Sequence, residues 1–227
     1  MKLWLAPMEG ITDCVFRTKC YNYGADLTFT EMVRIDALIR GNKATHTLLE
    51  WDPTPTALQI LGVKMNSVQE FVKQFPSYNI TPVHININAS CPSPEVIRIG
   101  AGAALMKRTQ RLNDMISRLR KLDLPVTVKM RLGLNEFEKK NKVYLNTLKA
   151  VDADAFIIHA KHARQESREC SDWSIYEECI ATGKHIVANG DISTKEHVNY
   201  FKKLGLKEIM IGRAAIKNPE IFRELKS

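Results

Sequence analysis

The sequence predicts a single (β/α)8 TIM barrel spanning residues 1–227, and three observations point there. Short apolar runs rich in branched residues alternate with longer charged stretches along the whole chain, which is the pattern of βα units. Eight such runs fit into 227 residues, and α/β barrels form one domain at about 200–250 residues. A doubly wound open sheet usually needs fewer strands, so it ranks second. Finally, the residues that end these runs are Met8, Gln59, Asn88, Lys129, Arg131, His159, Asn189 and Gly212. Nearly all are polar after apolar runs, and such a ring reads as the functional mouth of a barrel.

Taken in order, residues 3–8 (LWLAPM) give the first strand and residues 26–30 (DLTFT) a short second one. Residues 33–55 lack a clear period and are expected to form a helix plus a loop. Residues 56–61 (TALQIL) and 83–88 (VHININ) make the third and fourth strands, with a helix over 67–75 between them. A longer helix is expected over 103–119, followed by the fifth strand over 126–131 (VTVKMR). Residues 136–151 form the next helix, with Phe137, Val143, Tyr144, Leu148 and Val151 as its apolar stripe and lysines outside. Strands over 155–159 (AFIIH), 185–189 (HIVAN) and 208–212 (EIMIG) complete the set, with a helix over 194–204 before the last.

Composition narrows the class. Hydrophobic residues make up 44% and charged residues 26%, as in folded globular proteins and unlike disordered ones. No stretch of about eighteen apolar residues exists to span a membrane. Met1-Lys2-Leu3 leads into Pro7 and Glu9 without an apolar leader core, so a cytoplasmic protein is expected. The 33 basic against 25 acidic residues give +8, which suits a polyanionic partner and equally a basic solvated surface. The five cysteines have neither a framework spacing nor a CxxC pair, so reduced thiols are expected and structural zinc is not.

Several motifs carry chemistry. Asn189-Gly190-Asp191 follows the seventh strand and Gly212-Arg213-Ala214-Ala215 the eighth. Glycines admit an anion to backbone amides, and barrels commonly bind phosphate in these two loops. The pair therefore reads as a phosphate site rather than two tight turns. Lys129 alternates into the barrel, where it either snorkels to solvent or faces an acceptor such as the pyrimidine end of a flavin. Cys91 lies in Asn88-Ala89-Ser90-Cys91-Pro92-Ser93-Pro94, a polar loop stiffened by prolines. A thiol with a pKa of about 8.5 is mostly protonated at neutral pH and can give a proton. The other cysteines, Cys14, Cys20, Cys170 and Cys179, read as small buried apolar residues.

His159 and His162 have His-x-x-His spacing with Cys170 beyond, but no third ligand sits nearby, so no metal is expected. His159 reads better as a hydrogen-bond donor to a cofactor. The run Gly100-Ala101-Gly102-Ala103-Ala104-Leu105 matches part of a dinucleotide fingerprint but lacks its strand and downstream acid. Basic residues cluster around Arg98–Lys121, at Lys139, Lys140 and Lys142, and at Lys161, His162, Arg164 and Arg168. Solvated helix faces account for most such clusters. The last one follows the sixth strand, on the rim of the mouth, and is the best candidate for contacts to nucleic-acid phosphates.

Together these segments resemble the tRNA-dihydrouridine synthase family along the whole chain. The resemblance rests on Ala6-Pro7-Met8-Glu9-Gly10-Ile11-Thr12-Asp13, Phe16-Arg17 and Gln59-Ile60-Leu61-Gly62. It continues through Asn88-Ala89-Ser90-Cys91-Pro92, Gly100 to Met106, Val126 to Gly133, His159 and Ser171-Asp172-Trp173. It ends with Asn189-Gly190-Asp191 and Ile211-Gly212-Arg213-Ala214. It implies an FMN-binding barrel that reduces the C5–C6 bond of particular uridines in tRNA, with NADPH as reductant. It also implies hydride delivery to C6 from the flavin and protonation of C5 by Cys91. FMN contacts would fall to Pro7, Met8, Glu9, Gln59, Lys129, His159, Asn189, Gly190, Asp191, Gly212 and Arg213, and Asn88 would contact the uracil. The target uridine would leave its stack to reach the site.

Two departures stand out. Ser90 occupies a position where the family usually has glycine. The chain also ends at Ser227, one helix past Gly212-Arg213, so the helical tRNA-binding domain usual after the barrel is expected to be absent. A partner protein or domain would then supply the extra tRNA contacts. Two other readings remain in view. One is an FMN barrel acting on a free pyrimidine, as in the dihydroorotate dehydrogenase-like families. The other is a flavin-free barrel that only binds RNA.

Overall fold

A computed structural model describes all residues, Met1–Ser227. Nine strands form: β1 (Lys2–Leu5), β2 (Thr28–Phe29), β3 (Val33–Arg34), β4 (Thr56–Leu61), β5 (Ile85–Ala89), β6 (Val126–Met130), β7 (Ala155–His159), β8 (Ile186–Asn189) and β9 (Glu208–Ile211). Their pairing order is β1-β9-β8-β7-β6-β5-β4-β2, all parallel, and β3 adds a short pairing to the end of β4. A parallel bridge between Trp4 and Leu27, with Leu5 N donating to Leu27 O at 2.8 Å, brings the two ends together. The result is the expected barrel of eight staves with helices outside, nearly closed and with β3 as an addition.

The predicted first, second, fifth and eighth strands run one to three residues past the observed ends, the third and sixth coincide with observed strands, and the fourth ends one residue short. The first stops at Leu5 because Pro7 follows, and Ala6–Met8 turn over the mouth instead. β2 is shorter than expected because side chains replace part of its ladder. Thr28 and Thr56 pair their hydroxyls at 2.7 Å, and Gln59 N donates to Thr30 Oγ1 at 3.0 Å. Residues 33–55 hold β3 and two short helices, Ile35–Leu38 and Lys43–Thr47.

Two expected helices divide. Residues 103–119 become a 3-10 turn, Gly102–Lys107, and a helix, Thr109–Leu119, broken at Arg108 (φ −102°, ψ 56°). Residues 136–151 split into Glu136–Lys140 and Val143–Ala150, because Lys142 takes a left-handed conformation (φ 53°). That break resets the helical phase, so Phe137 leaves the predicted stripe and stands 74% exposed, whereas Tyr144 and Leu148 are buried. The helix after β8 agrees better: Thr194 caps Lys195–Lys203 by accepting from His197 N.

Strand alternation divides the core in two. Outward residues such as Leu58, Ile60, Ile85, Ile87, Val126, Val128, Phe156 and Ile158 belong to a cluster of 54 buried residues packed between barrel and helices. Inward residues Trp4, Ala6, Leu27, Phe29, Ala57, Ile157, Val187 and Met210 form a separate cluster of eight inside the barrel. Two residues further along the same strands, the inward positions become Met8, Gln59, His159, Asn189 and Gly212. The barrel is thus filled with apolar side chains at its floor and polar ones at its mouth. No helix is long and apolar enough to cross a membrane.

Candidate active site

The mouth opens into a cavity of about 480 Å³, within the usual range for small-molecule sites. Every predicted site residue lines it: Pro7, Met8, Glu9, Gln59, Asn88, Cys91, Lys129, His159, Asn189, Gly190, Asp191, Gly212 and Arg213. Met32, Gln165 and Ser167 also line it and lack a sequence signal as site residues, since loop folding alone brings them in; Pro92 and Lys161, both within segments the sequence singles out, line it too. Arg131 and Ser90 belong to it as well; Arg131 was already legible as a polar strand end.

The loop after β1 is held rigidly. Thr12 Oγ1 accepts from Met8 N at 3.0 Å, and Gly10 N donates to Glu31 Oε2 at 2.5 Å. Beneath it lies Arg17, a fully buried cation on the helix Cys14–Asn22. Arg17 donates to Thr12 O at 3.1 Å, to Glu50 O at 2.8 Å and to Asp52 at 3.3 Å. One buried side chain thereby ties the loop bearing Pro7, Met8 and Glu9 to the segment before β4.

The Cys91 loop is held from three sides. Asn88 Oδ1 accepts from Ser90 N at 3.0 Å and Cys91 N at 2.8 Å. Arg131 Nε donates to Ser90 O at 2.9 Å, and Ala103 N to Cys91 O at 3.0 Å. The glycine-rich run has its use here. Gly102 adopts φ +54°, and a Cβ there would lie 2.6 Å from Cys91 O, so this run buttresses the loop. The serine in place of glycine is accommodated as well. Ser90 has no positive φ, and its hydroxyl accepts from Lys129 Nζ at 3.4 Å. The other cysteines differ from one another: Cys20 and Cys179 are buried, Cys14 is half-buried, and Cys170 is exposed, contrary to expectation.

Electrostatics set the character of the mouth. Burial pulls Lys129 down from 10.5 to about 7, and the Arg131 charge adds to this. Burial also lowers Arg131, to about 10. His159 is held well below 6.5 by burial and then by Lys129, Arg131, Lys161 and Arg213, so its ring is neutral. Burial raises the Asp191 carboxyl, but hydrogen bonds from Ser171 and Lys161 outweigh it and hold the group ionised. Asp191 accepts from Ser171 Oγ at 2.8 Å, sits 3.2 Å from Lys161 Nζ and pairs with the Arg213 guanidinium. Arg213 also donates to Ser167 Oγ at 2.6 Å. Lys161 is only 2% exposed, so it is an internal partner of Asp191 rather than a rim contact for nucleic acid. In that cluster only Arg164 and Arg168 remain exposed on the rim.

Gly190 has φ +125°, and a Cβ there would overlap Ser171 Oγ and approach His159 to 3.0 Å. Trp173 Nε1 donates to Gly190 O at 2.9 Å, so the loops after β7 and β8 are locked together. No group of three or more His, Cys, Asp or Glu side chains gathers in a metal-binding arrangement.

The comparisons agree with this geometry. In solved structures, the fold is similar to that of DHODH from Eimeria tenella in complex with ferulenol (TM-score 0.67, 14% identity, covering 100% of this chain and 79% of that one). It is also similar to morphinone reductase in complex with tetrahydroNAD (TM-score 0.64, 9% identity, covering 99% and 86%). At such identities the likeness is one of fold alone. Among sequences, the chain is 29% identical to the tRNA-dihydrouridine(47) synthase (NAD(P)(+))-like protein of Rattus norvegicus, over 99% of this chain and 36% of that protein. It is 31% identical to tRNA-dihydrouridine synthase B of Pseudomonas syringae pv. tomato, over 99% of this chain and 67% of that protein. It thus spans little more than a third of the first relative. The dihydrouridine synthase family model matches residues 4–227, and the chain belongs to the dihydrouridine synthase family.

Proposed function

We propose that this chain is the catalytic barrel of an FMN-dependent tRNA-dihydrouridine synthase, using NADPH to reduce the C5–C6 bond of specific uridines in tRNA. The observation that carries the reading is Cys91, a thiol on a pinned loop, facing a cation-rich cavity at the mouth of a barrel of this family.

The residues present suit FMN. The missing side chain of Gly190 lets Ser171 and His159 pack against its backbone at the edge of the cavity. Lys129, Arg131, Lys161 and Arg213 outnumber Glu9 and Asp191 among the lining charges, as a dianionic phosphate requires. The loops Gly190-Asp191 and Gly212-Arg213 would hold that phosphate, and Pro7, Met8, Glu9, Gln59, His159 and Asn189 would shape the rest of the site. FMN, when bound, would supply the reducing equivalents for the uracil.

In this reading Cys91 holds the proton that C5 receives as C6 is reduced, so the product gains two hydrogens and the thiolate is reprotonated between turnovers. Neutral His159 donates a hydrogen bond without adding charge. Lys129 provides a cation beside whichever part of the ligand becomes negative. Because the mouth lies at the barrel centre, the uridine must leave its stack to reach it, with Arg164 and Arg168 on the rim near the backbone. Further tRNA contacts would come from another domain or a partner protein, in a cytoplasmic setting.

The test is a titration of the purified protein with FMN, read by flavin fluorescence, followed by incubation with unmodified tRNA and NADPH and mass analysis of its nucleosides. Saturable binding and the appearance of dihydrouridine are expected. Turnover of free uridine or orotate without tRNA would move the assignment to a pyrimidine oxidoreductase. Failure of the folded protein to bind FMN, with retained RNA binding, would leave an RNA-binding barrel.

A further inference from the structure

The rim of the mouth above β5, β6 and β7 carries two large apolar side chains in the open. Phe137, in the short helix Glu136–Lys140, is 74% exposed, and Ile99, just past the helix Pro94–Arg98, is 52% exposed. Single apolar side chains are ordinary on a surface, so their exposure alone decides nothing. Their surroundings do.

A continuous run of contacts joins the two. Arg164 N donates to Leu134 O at 3.0 Å, three residues before Phe137. Glu138, next to Phe137, pairs with Lys107 Nζ at 2.7 Å. Arg108 follows Lys107, and its guanidinium lies against Gly100, the neighbour of Ile99. Along this run Lys107, Lys139 and Arg168 are already paired, with Glu138, Asp172 and Glu166. Arg98, Arg108, Lys140 and Arg164 are exposed and form no ion pair. In the two short helices Glu136 approaches Lys139, which leaves Glu95 as their one unpaired acid.

Free cations left without internal partners favour a polyanion over an ordinary protein surface. An open aromatic ring among them favours an unstacked base, because every base offers a π-face while its phosphates lie along the cations. The run also borders the site: Arg131, six residues before Phe137, and Pro92, seven before Ile99, both line the cavity.

We propose that Phe137 stacks on a nucleobase of the bound tRNA beside the uridine that enters the cavity, while Arg98, Arg108, Lys140 and Arg164 hold phosphates of the same strand. When one base leaves the stack its neighbour loses a stacking partner, and the phenyl ring replaces it. This rests on the uridine-reductase reading for the identity of the RNA.

The test measures the affinity of the full chain for an unmodified tRNA transcript by fluorescence anisotropy over a range of salt. Phe137→Ala removes an exposed side chain, so the fold is retained, and binding is expected to weaken about tenfold at every salt concentration with the slope unchanged. Phe137→Tyr is expected to keep wild-type affinity, and Phe137→Leu, apolar but without a ring, is not. Arg98→Ala, Lys140→Ala and Arg164→Ala are each expected to lower the log–log salt slope by about 0.7–0.9. Lys203→Ala, in the last turn of the helix Lys195–Lys203 at the floor end of the barrel, serves as the control and is expected to change nothing.

Unchanged affinity in Phe137→Ala overturns the proposal, as does wild-type affinity in Phe137→Leu. A slope lowered equally by Lys203→Ala and the rim variants overturns it too, since the charge effect would then be spread over the whole surface. In turnover with tRNA, NADPH and flavin, Phe137→Ala should raise KM for tRNA while kcat holds. Dihydrouridine formation by the wild type with unaltered binding in the variants sinks the surface assignment alone. If the wild type reduces no uridine but the variants weaken binding as expected, the functional reading fails and the RNA surface stands.

Discussion

Lys129 is a stability burden that the fold carries for its site, and removing it should show this directly. Its side chain lies inside the barrel mouth, with no carboxylate beside it and only the Ser90 hydroxyl at 3.4 Å. Burial lowers it from 10.5 to about 7. The unfolded chain therefore binds a proton more tightly than the native one, and stability rises with pH between those two values. Below pH 7 the full penalty applies, about 5 kcal/mol for a shift of this size; at pH 7 about 4 kcal/mol remains, and near pH 10 less than about 1. Lys129→Met keeps the length and apolar stem and drops the charge. The flavin-free variant should gain up to about 4 kcal/mol at pH 7, less about 1 for the lost Ser90 contact. Urea unfolding of both proteins from pH 6 to pH 9.5 measures the difference, which should shrink steadily as pH rises. A variant no more stable than wild type at pH 7, or a gain that stays constant with pH, would refute the reasoning. On the proposed function FMN affinity should fall in the same variant, since Lys129 is the cation proposed to face the ligand.

Other outcomes follow from the same geometry. Cys91→Ala should keep FMN and tRNA binding and lose turnover by about 10²–10⁴-fold, the usual contribution of a general acid; single-turnover flavin oxidation with tRNA would measure it. Arg213→Ala, which removes a charge-assisted partner of the phosphate loops, should weaken FMN about tenfold to a hundredfold in a fluorescence titration. Gly190→Ala places a Cβ against Ser171 and His159 at φ +125° and should cost on the order of 2–4 kcal/mol of stability together with FMN binding, read by thermal melts with and without flavin. Affinity for tRNA should fall steeply between low and physiological salt, each neutralised phosphate adding about 0.7–0.9 to the log–log slope.

The inward ring was legible because a strand's alternation is a local property. Gln59, Asn88, Lys129, His159 and Asn189 each follow an inward apolar or small residue by two positions or end a run of fixed period, and that places them at the mouth without knowledge of the rest. What depended on loops was not legible. Lys161 follows His159 by two and looked like a rim cation, but the loop after β7 folds back so that its Nζ reaches Ser167 O at 3.0 Å and Asp191. The helix breaks at Arg108 and Lys142 were hidden because neither residue is a helix breaker. Arg108 leaves the helical region where its guanidinium packs over Gly100, a contact that exists only after folding. The two glycines that matter most, Gly102 and Gly190, were visible as residues, but what each would collide with was not.

The mouth has to hold several cations close together before any ligand arrives, and it does so in two ways. On the side of the Gly190 and Gly212 loops, Asp191 acts as an internal counter-ion shared by Lys161 and Arg213. Arg213, half exposed, can turn part of its guanidinium toward a phosphate without losing Asp191 altogether. On the side of β6 and β7 there is no carboxylate, and charge is relieved by loss of protons: Lys129 lies near neutrality in its proton affinity and the His159 ring is neutral. A negative group brought there raises the affinity of Lys129 for its proton, so the cation is strongest when its partner is an anion. The site thus holds an ion-paired cluster at one end and responds at the other. That division suits a ligand with a fixed dianion at one end and a ring system of changing charge at the other.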